Sequence, residues 1–209
     1  MVEKAVTIVK PGFIIIDEID GDKILKSIER KGRYCYKSED KITADSSKQF
    51  VKMIIDKGHL AVIEHEKISV VFTIDRGVSH EVVRHRLASF AQESTRYCNY
   101  SKDKFGNSIT VIDIIPHLKN KLSFNVWLNA MEDAQRHYFK MLEYGETPQI
   151  ARSVLPNSLK TEIVVTCNLR EWREIFKQRT AAAAHPQMRE VMQPLLEELR
   201  NLIPIIFDF

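Results

Sequence analysis

Between Leu122 and Tyr144, Trp127, Met131, Ala134, Tyr138, Met141 and Leu142 recur on one helical face, and Gly145 follows as a stop. A long helix with one apolar stripe has to lay that stripe against another layer, so its neighbours decide the fold. Several of those neighbours have the pattern of strands. Ile163, Val165 and Cys167 alternate with Glu162, Val164 and Thr166, which predicts a half-buried strand. Val70-Val71-Phe72 centres another from Glu66 to Asp75, and Ile109 to Ile115 is a third, closed by Pro116. Ala5 to Ile16, interrupted by Pro11-Gly12, predicts a strand, a turn and a second short strand.

The remaining stretches are helical. Ile24, Leu25 and Ile28 share one face before a predicted stop at Gly32. A helix begins at Asp45, with Ser46 and Gln49 at capping-box spacing, a stripe of Phe50, Ile54 and Ile55, and an end at Gly58. Val78 to Ala88 predicts the next, and polar Asn99 to Asn107 a loop. Thr147 caps a short helix with Pro148 at its first position, ending before Pro156. Two more run from Leu169 to about Thr180 and through Met188, Val191, Met192, Leu195, Leu196 and Leu199, with a kink at Pro194. With 44% apolar residues, 209 residues suffice for one sizeable core. No repeat or linker divides the chain. The expectation is a single α/β (α+β) domain over residues 1–209, with helices packed on a central, mostly antiparallel sheet.

Charge and cysteine content narrow the function. A net charge of +3 gives no support for a nucleic-acid binder. Cys35, Cys98 and Cys167 are too scattered for a disulfide framework, and a reducing cytoplasm fits them. Met1 to Lys4 carries no leader pattern, and no apolar run approaches the ~20 residues that cross a bilayer.

The densest chemistry lies between Arg84 and Arg96, where three arginines, His85, Ser89, Ser94 and Thr95 are opposed only by Glu93. Such cationic forks and short hydroxyls suit phosphate and other anions. On a helical wheel, Val78, Val82, Val83 and Leu87 form a buried half, while His80, Glu81, Arg84 and His85 share the other. Arg86 projects from the apolar half, so it either pairs with a buried carboxylate or reaches a ligand. In the Leu169–Thr180 helix, Leu169, Trp172, Ile175 and Phe176 form the stripe. Arg179 emerges within that stripe, either to snorkel out or to point into a pocket, whereas Arg173 and Lys177 lie away from it as solvated charges. Asn168 with Glu171 is spaced as an N-cap, and it also opens a helix where free N–H groups favour anions. The seven histidines lack metal-ligand spacing, so no metal is expected. Cys98, beside the arginines, is expected to be a small buried residue rather than a nucleophile.

Arg84-His85-Arg86, Ser89, Ser94 and Arg96 match every fixed position of the RHR-x-x-S-x-x-x-x-S-x-R signature, and the chain thereby resembles the flavin-dependent thymidylate synthases. Gly58-His59, Glu64-His65, Ala151-Arg152, Leu155-Pro156, Asn168-Leu169-Arg170, Arg179 and His185-Pro186-Gln187 extend the resemblance. It implies the thymidylate synthase-complementing type of fold and reductive methylation of dUMP to dTMP. Tightly bound FAD would supply hydride after reduction by NADPH, and 5,10-methylenetetrahydrofolate the carbon, in a homotetramer with shared active sites. By the same resemblance Glu81, Arg84, Gln92, Glu93, Ser94, Thr95 and Arg96 contact dUMP, and Arg152 adds a cation from a neighbouring subunit. His59, Arg84, His85, Arg86, Gln92, Asn168, Arg170 and His185 would contact FAD, and Arg179 is the catalytic arginine that binds the uracil. Departures from the family pattern are Ala61, where many members have a hydroxyl, Glu174, and a longer alanine-rich stretch at Thr180–Ala184.

Overall fold

The computed structural model describes residues 4–209, apart from the side chain of Asp103. Met1 to Glu3, part of the stretch read for a leader pattern, lie outside the described residues. The elements in chain order are β1 (Thr7–Val9), β2 (Gly12–Ile15), α1 (Gly21–Tyr36), α2 (Ser46–Asp56), β3 (Lys67–Asp75), α3 (Arg76–Val82) and β4 (Ala88–Gln92). They continue as β5 (Thr110–Ile112), α4 (Lys121–Glu143), α5 (Pro148–Ala151), β6 (Lys160–Asn168), α6 (Leu169–Arg179) and α7 (Pro186–Leu202). The architecture is mixed α/β. The larger sheet has the order β2-β3-β6-β4, and β1 pairs with β5 in parallel, Thr7 opposite Thr110. The two short N-terminal strands therefore pair with different partners. Leu169 N–H reaches Glu66 O and Arg76 N–H reaches Leu159 O, so the end of β6 meets the start of β3 and the two are antiparallel.

The chain forms two compact units. One holds the chain up to Gly12, Phe72–Arg84 and Ala91–Ile163, and the other Phe13–Val71, His85–Phe90 and Val164–Phe209. In the first, α4 buries Met131 and Tyr138 in a cluster with Val6, Tyr100, Ile109, Val111, Ala151 and Leu159, as its one-sided stripe requires. In the second, α6 buries Leu169, Trp172, Ile175 and Phe176, the predicted stripe, and Trp172 Nε1–H donates to Ile68 O at 3.0 Å. All six apolar positions predicted for α7 are buried, with Pro194 inside the helix.

Four local expectations are corrected. Gly32 does not stop α1. The helix runs on to Tyr36, and Gly32 is where the Phe50 ring packs, 2.6 Å from where a Cβ would stand. The turnover falls instead at left-handed Lys37 (φ 48°), whose N–H bonds to Tyr34 O while Ser38 N–H bonds to Arg33 O. The capping box of α2 does not form, because the Ser46 hydroxyl accepts from Thr43 N–H and donates to buried Glu29. Arg173 is not solvated but only 8% exposed, since the C-terminal segment covers it: Nη1 donates to Ile206 O and the guanidinium lies 4.7 Å from the Phe209 ring centre.

The fourth correction bears on the signature. The predicted Val78–Ala88 helix ends at Val82, the chain turns through Val83 to Leu87, and Ala88 opens a strand. Val83 and Leu87 are exposed, Leu87 to 75%, whereas His85 is buried. Arg86 is an exposed turn residue, so its paradox on the wheel disappears with the helix. Ala88 to Gln92 alternate half-buried and exposed, the period-two pattern of a strand.

Candidate functional site

In the first unit, α3 is seeded by Asp75, whose Oδ1 accepts from Val78 N–H at 2.6 Å. Its last turn carries half-buried Glu81, and Arg84 follows in the exposed turn. Gln92 closes β4. Its amide nitrogen donates to Ser79 Oγ at 2.9 Å and Thr161 Oγ1 at 3.2 Å, two fully buried hydroxyls. Glu93 N–H donates to Glu162 O at 2.8 Å, which fixes where the Ser94–Arg96 loop leaves the sheet. The Glu93 carboxylate accepts from Lys160 Nζ at 3.1 Å and from the Tyr100 hydroxyl at 3.2 Å. Burial disfavours the Lys160 ammonium, but hydrogen bonds and charges from Glu93 and Glu162 outweigh it and hold its pKa above the ordinary lysine value. Burial, then the charge of Glu93, pushes the Tyr100 phenol upward, so it remains a donor. Glu93 is thus a neutralised anchor at the root of the loop.

Beyond it, Ser94 Oγ accepts from Arg96 N–H at 3.3 Å, and Ser94 O takes the N–H groups of Tyr97 and Cys98. Arg96 Nε–H donates to Gln149 Oε1 at 2.6 Å. Arg152 Nη1 donates to Thr95 Oγ1 at 3.3 Å within the same chain. Arg152 directly follows the short helix α5, Pro148–Ala151. Hydroxyls and guanidinium forks meet here in a pattern suited to a phosphate. A cavity of about 630 Å³ lined by Ile115, Leu118, Leu122 and Phe124, among others, contains none of the predicted site residues.

In the second unit, His85 is only 6% exposed. Its Nε2 accepts from Arg179 Nε–H at 2.9 Å, and its Nδ1 lies 3.5 Å from Glu171 Oε1. Burial first, then the Arg179 charge, lowers its pKa from 6.5 to about 4 against the opposing pull of Glu174, so the ring is neutral at neutral pH. Arg179 occupies the end of α6, half-buried as its stripe position suggests. Asn168 caps α6 through Glu171 N–H at 2.9 Å, the structural half of its two readings. Arg170 extends to Glu64 at 2.6 Å and remains about half exposed. His59 stands exposed before the 3-10 helix Leu60–His65, with its Nδ1 2.5 Å from the Tyr36 hydroxyl and the two rings stacked. His185 precedes α7 with an exposed side chain, and Arg86 is also exposed.

Several contributors carried no motif. Thr161 and Lys160, from β6, reach Gln92 and Glu93 across more than sixty residues, and Ser79 reaches Gln92 from helix α3. Tyr36 reaches His59 across 23 residues, with no local signal. Cys98 is half-buried and its thiol is pushed up by burial and Glu93, the reverse of an activated nucleophile. Cys167 is buried and also pushed up, and Cys35 is exposed. Among the described residues no group of three or more His, Cys, Asp or Glu could hold a metal, and no helix is long and apolar enough to cross a membrane.

Residues 16–205 match the family model described as thymidylate synthase complementing protein. The chain is 32% identical to the flavin-dependent thymidylate synthase of Corynebacterium glutamicum, over 92% of this chain and 81% of that one. The Pyrococcus abyssi enzyme of the same name is 33% identical, with 81% and 70% covered. Among solved structures, a UMP/dUMP methylase, PolB, from Streptomyces cacaoi bound with 5-Br dUMP superposes with a TM-score of 0.77 at 21% identity, covering 97% and 96% of the two chains. That likeness concerns the fold. From its matched length and its relatives, this chain belongs to the flavin-dependent thymidylate synthase family.

Proposed function

We propose that the chain converts dUMP to dTMP, with 5,10-methylenetetrahydrofolate as carbon donor and NADPH as reductant through bound FAD, and that residues 1–209 act as one functional domain. The observation that carries this reading is the bond between the signature's His85 and Arg179, which ties the motif to the arginine assigned to the uracil. In the first unit, Ser94 and Arg96 bind the nucleotide phosphate, and Arg152 adds a cation from a neighbouring subunit. Gln92, Glu93 and Thr95 shape the loop, and Glu81 and Arg84 complete the nucleotide contacts.

The second unit offers exposed guanidinium groups at Arg86 and Arg170 and imidazoles at His59 and His185. Cationic forks and flat rings suit a pyrophosphate joined to aromatic rings, so this donor set fits FAD. These four residues, with Arg84, Gln92, His85 and Asn168, would hold it. When bound and reduced, FAD would supply the hydride that the pyrimidine needs. Arg179 has a different task. Negative charge spread from uracil N3 through O4 makes C5 more nucleophilic, and a guanidinium already fixed in place stabilises that charge without reorganising. His85 contributes by being neutral, since it accepts from Arg179 Nε–H without adding a competing positive charge. The working form is a cytoplasmic homotetramer with shared active sites.

Purified protein should be yellow and should release tritium from C5-labelled dUMP when given NADPH and methylenetetrahydrofolate. Arg179→Ala should keep its flavin absorbance and lose turnover. Protein that takes up no FAD, or that turns over equally well without Arg179, would overturn the reading.

A further inference from the structure

Arginine has only donors, so the 2.9 Å bond from Arg179 Nε–H makes Nε2 of His85 the acceptor. The single proton of the neutral ring then sits on Nδ1. On that side, 3.5 Å away, stands Oε1 of Glu171, a residue 8% exposed and held at the first turn of α6 by the Asn168 cap. At that distance the carboxylate acts on the ring more through its field than through a short hydrogen bond. The opposite tautomer would set Nε2–H against Arg179 Nε–H, donor against donor. It would also leave the lone pair on Nδ1 facing an anion. Both contacts therefore favour one tautomer, and both come from α6, eight residues apart along the same helix. Burial, then Glu174, pushes the Glu171 carboxyl above its ordinary pKa.

We propose that Glu171 is a positioning residue: it holds the His85 proton on Nδ1, keeps Nε2 open to Arg179, and thereby sets the orientation of the guanidinium. The proposal rests on the role assigned to Arg179 above. Glu171 touches neither substrate nor cofactor in this scheme. Its influence passes through one imidazole, which makes the tautomer a direct reporter.

The experiment uses FAD-loaded enzyme carrying ¹⁵N-histidine, as the parent and as Glu171→Gln and Glu171→Leu. Leucine fills the buried volume without charge or dipole, whereas glutamine keeps the shape and a carbonyl dipole but not the charge. The parent His85 should show the Nδ1–H pattern near neutral pH. Glu171→Leu should give a mixed tautomer, with kcat lowered about tenfold and KM for dUMP little changed, as expected where a residue acts on the catalytic step and not on substrate binding. Glu171→Gln should fall between the parent and Glu171→Leu in both. A parent ring protonated at Nε2, an unchanged tautomer in Glu171→Leu, or a glutamine variant equal to the parent would overturn the proposal. A parent without turnover would overturn the proposed function instead, and the tautomer comparison would still decide the role of Glu171.

Discussion

His85 stands between two charges and is itself uncharged, and that state has a cost in acid. Its pKa falls from 6.5 to about 4 on folding, so between those values the unfolded chain binds a proton that the folded chain refuses. The stability this lends is complete above about pH 6.5 and is lost as pH falls through about 4. Replacing His85 with asparagine should make the acid loss of stability over that window smaller by roughly 2 to 3 kcal/mol. Denaturant titrations at pH 7 and pH 4.5 measure the difference. Equal losses in both proteins would show that His85 is not buried as a neutral ring. The same residue marks a limit of periodicity. A wheel drawn through Val78–Ala88 put His85 on the polar side and Leu87 on the buried one, and both positions are reversed.

At the scale of elements, patterns repeated along a whole segment were legible in the sequence. The alternation of β6 and the stripes of α6 and α7 are buried as expected, because each satisfies one layer through many residues. Features set by a single contact with a distant segment were not. Gly32 looked like a helix stop because glycine disfavours helix, yet it lies within α1 where the Phe50 ring approaches. Arg173 looked solvated because a wheel contains no C-terminal segment to cover it. Much the same holds for the site, where the signature and Arg179 were visible but Lys160, Thr161 and Tyr36 were not. Gly32 affords a test of which force dominates. Alanine there gains about 1 kcal/mol of helix propensity, but its Cβ would stand 2.6 Å from a ring atom of buried Phe50. Overpacking of that kind costs about 1 to 3 kcal/mol, so Gly32→Ala should be destabilised by about 1 kcal/mol. A higher melting temperature would mean that Phe50 can shift.

At the scale of the whole molecule, one unit carries the phosphate-binding forks and hydroxyls with Arg84 and Gln92, and the other the His85–Arg179 pair and the remaining residues proposed for FAD. The proposed homotetramer of 24.3 kDa chains should appear at about 97 kDa in native mass spectrometry. A species of 24.3 kDa under conditions that sustain turnover would remove the shared active sites from the scheme.

The three thiols also differ in a way that is useful at the bench. Cys98 and Cys167 combine restricted access with raised pKa values, while Cys35 is exposed beside Tyr36, whose hydroxyl meets His59. A neutral-pH maleimide dye should therefore attach at Cys35 first. Placed one residue from a ring on a proposed FAD contact, it becomes an optical reporter whose quenching follows cofactor loading in real time. Peptide mapping that found the dye on Cys98 instead would show that the loop around it opens.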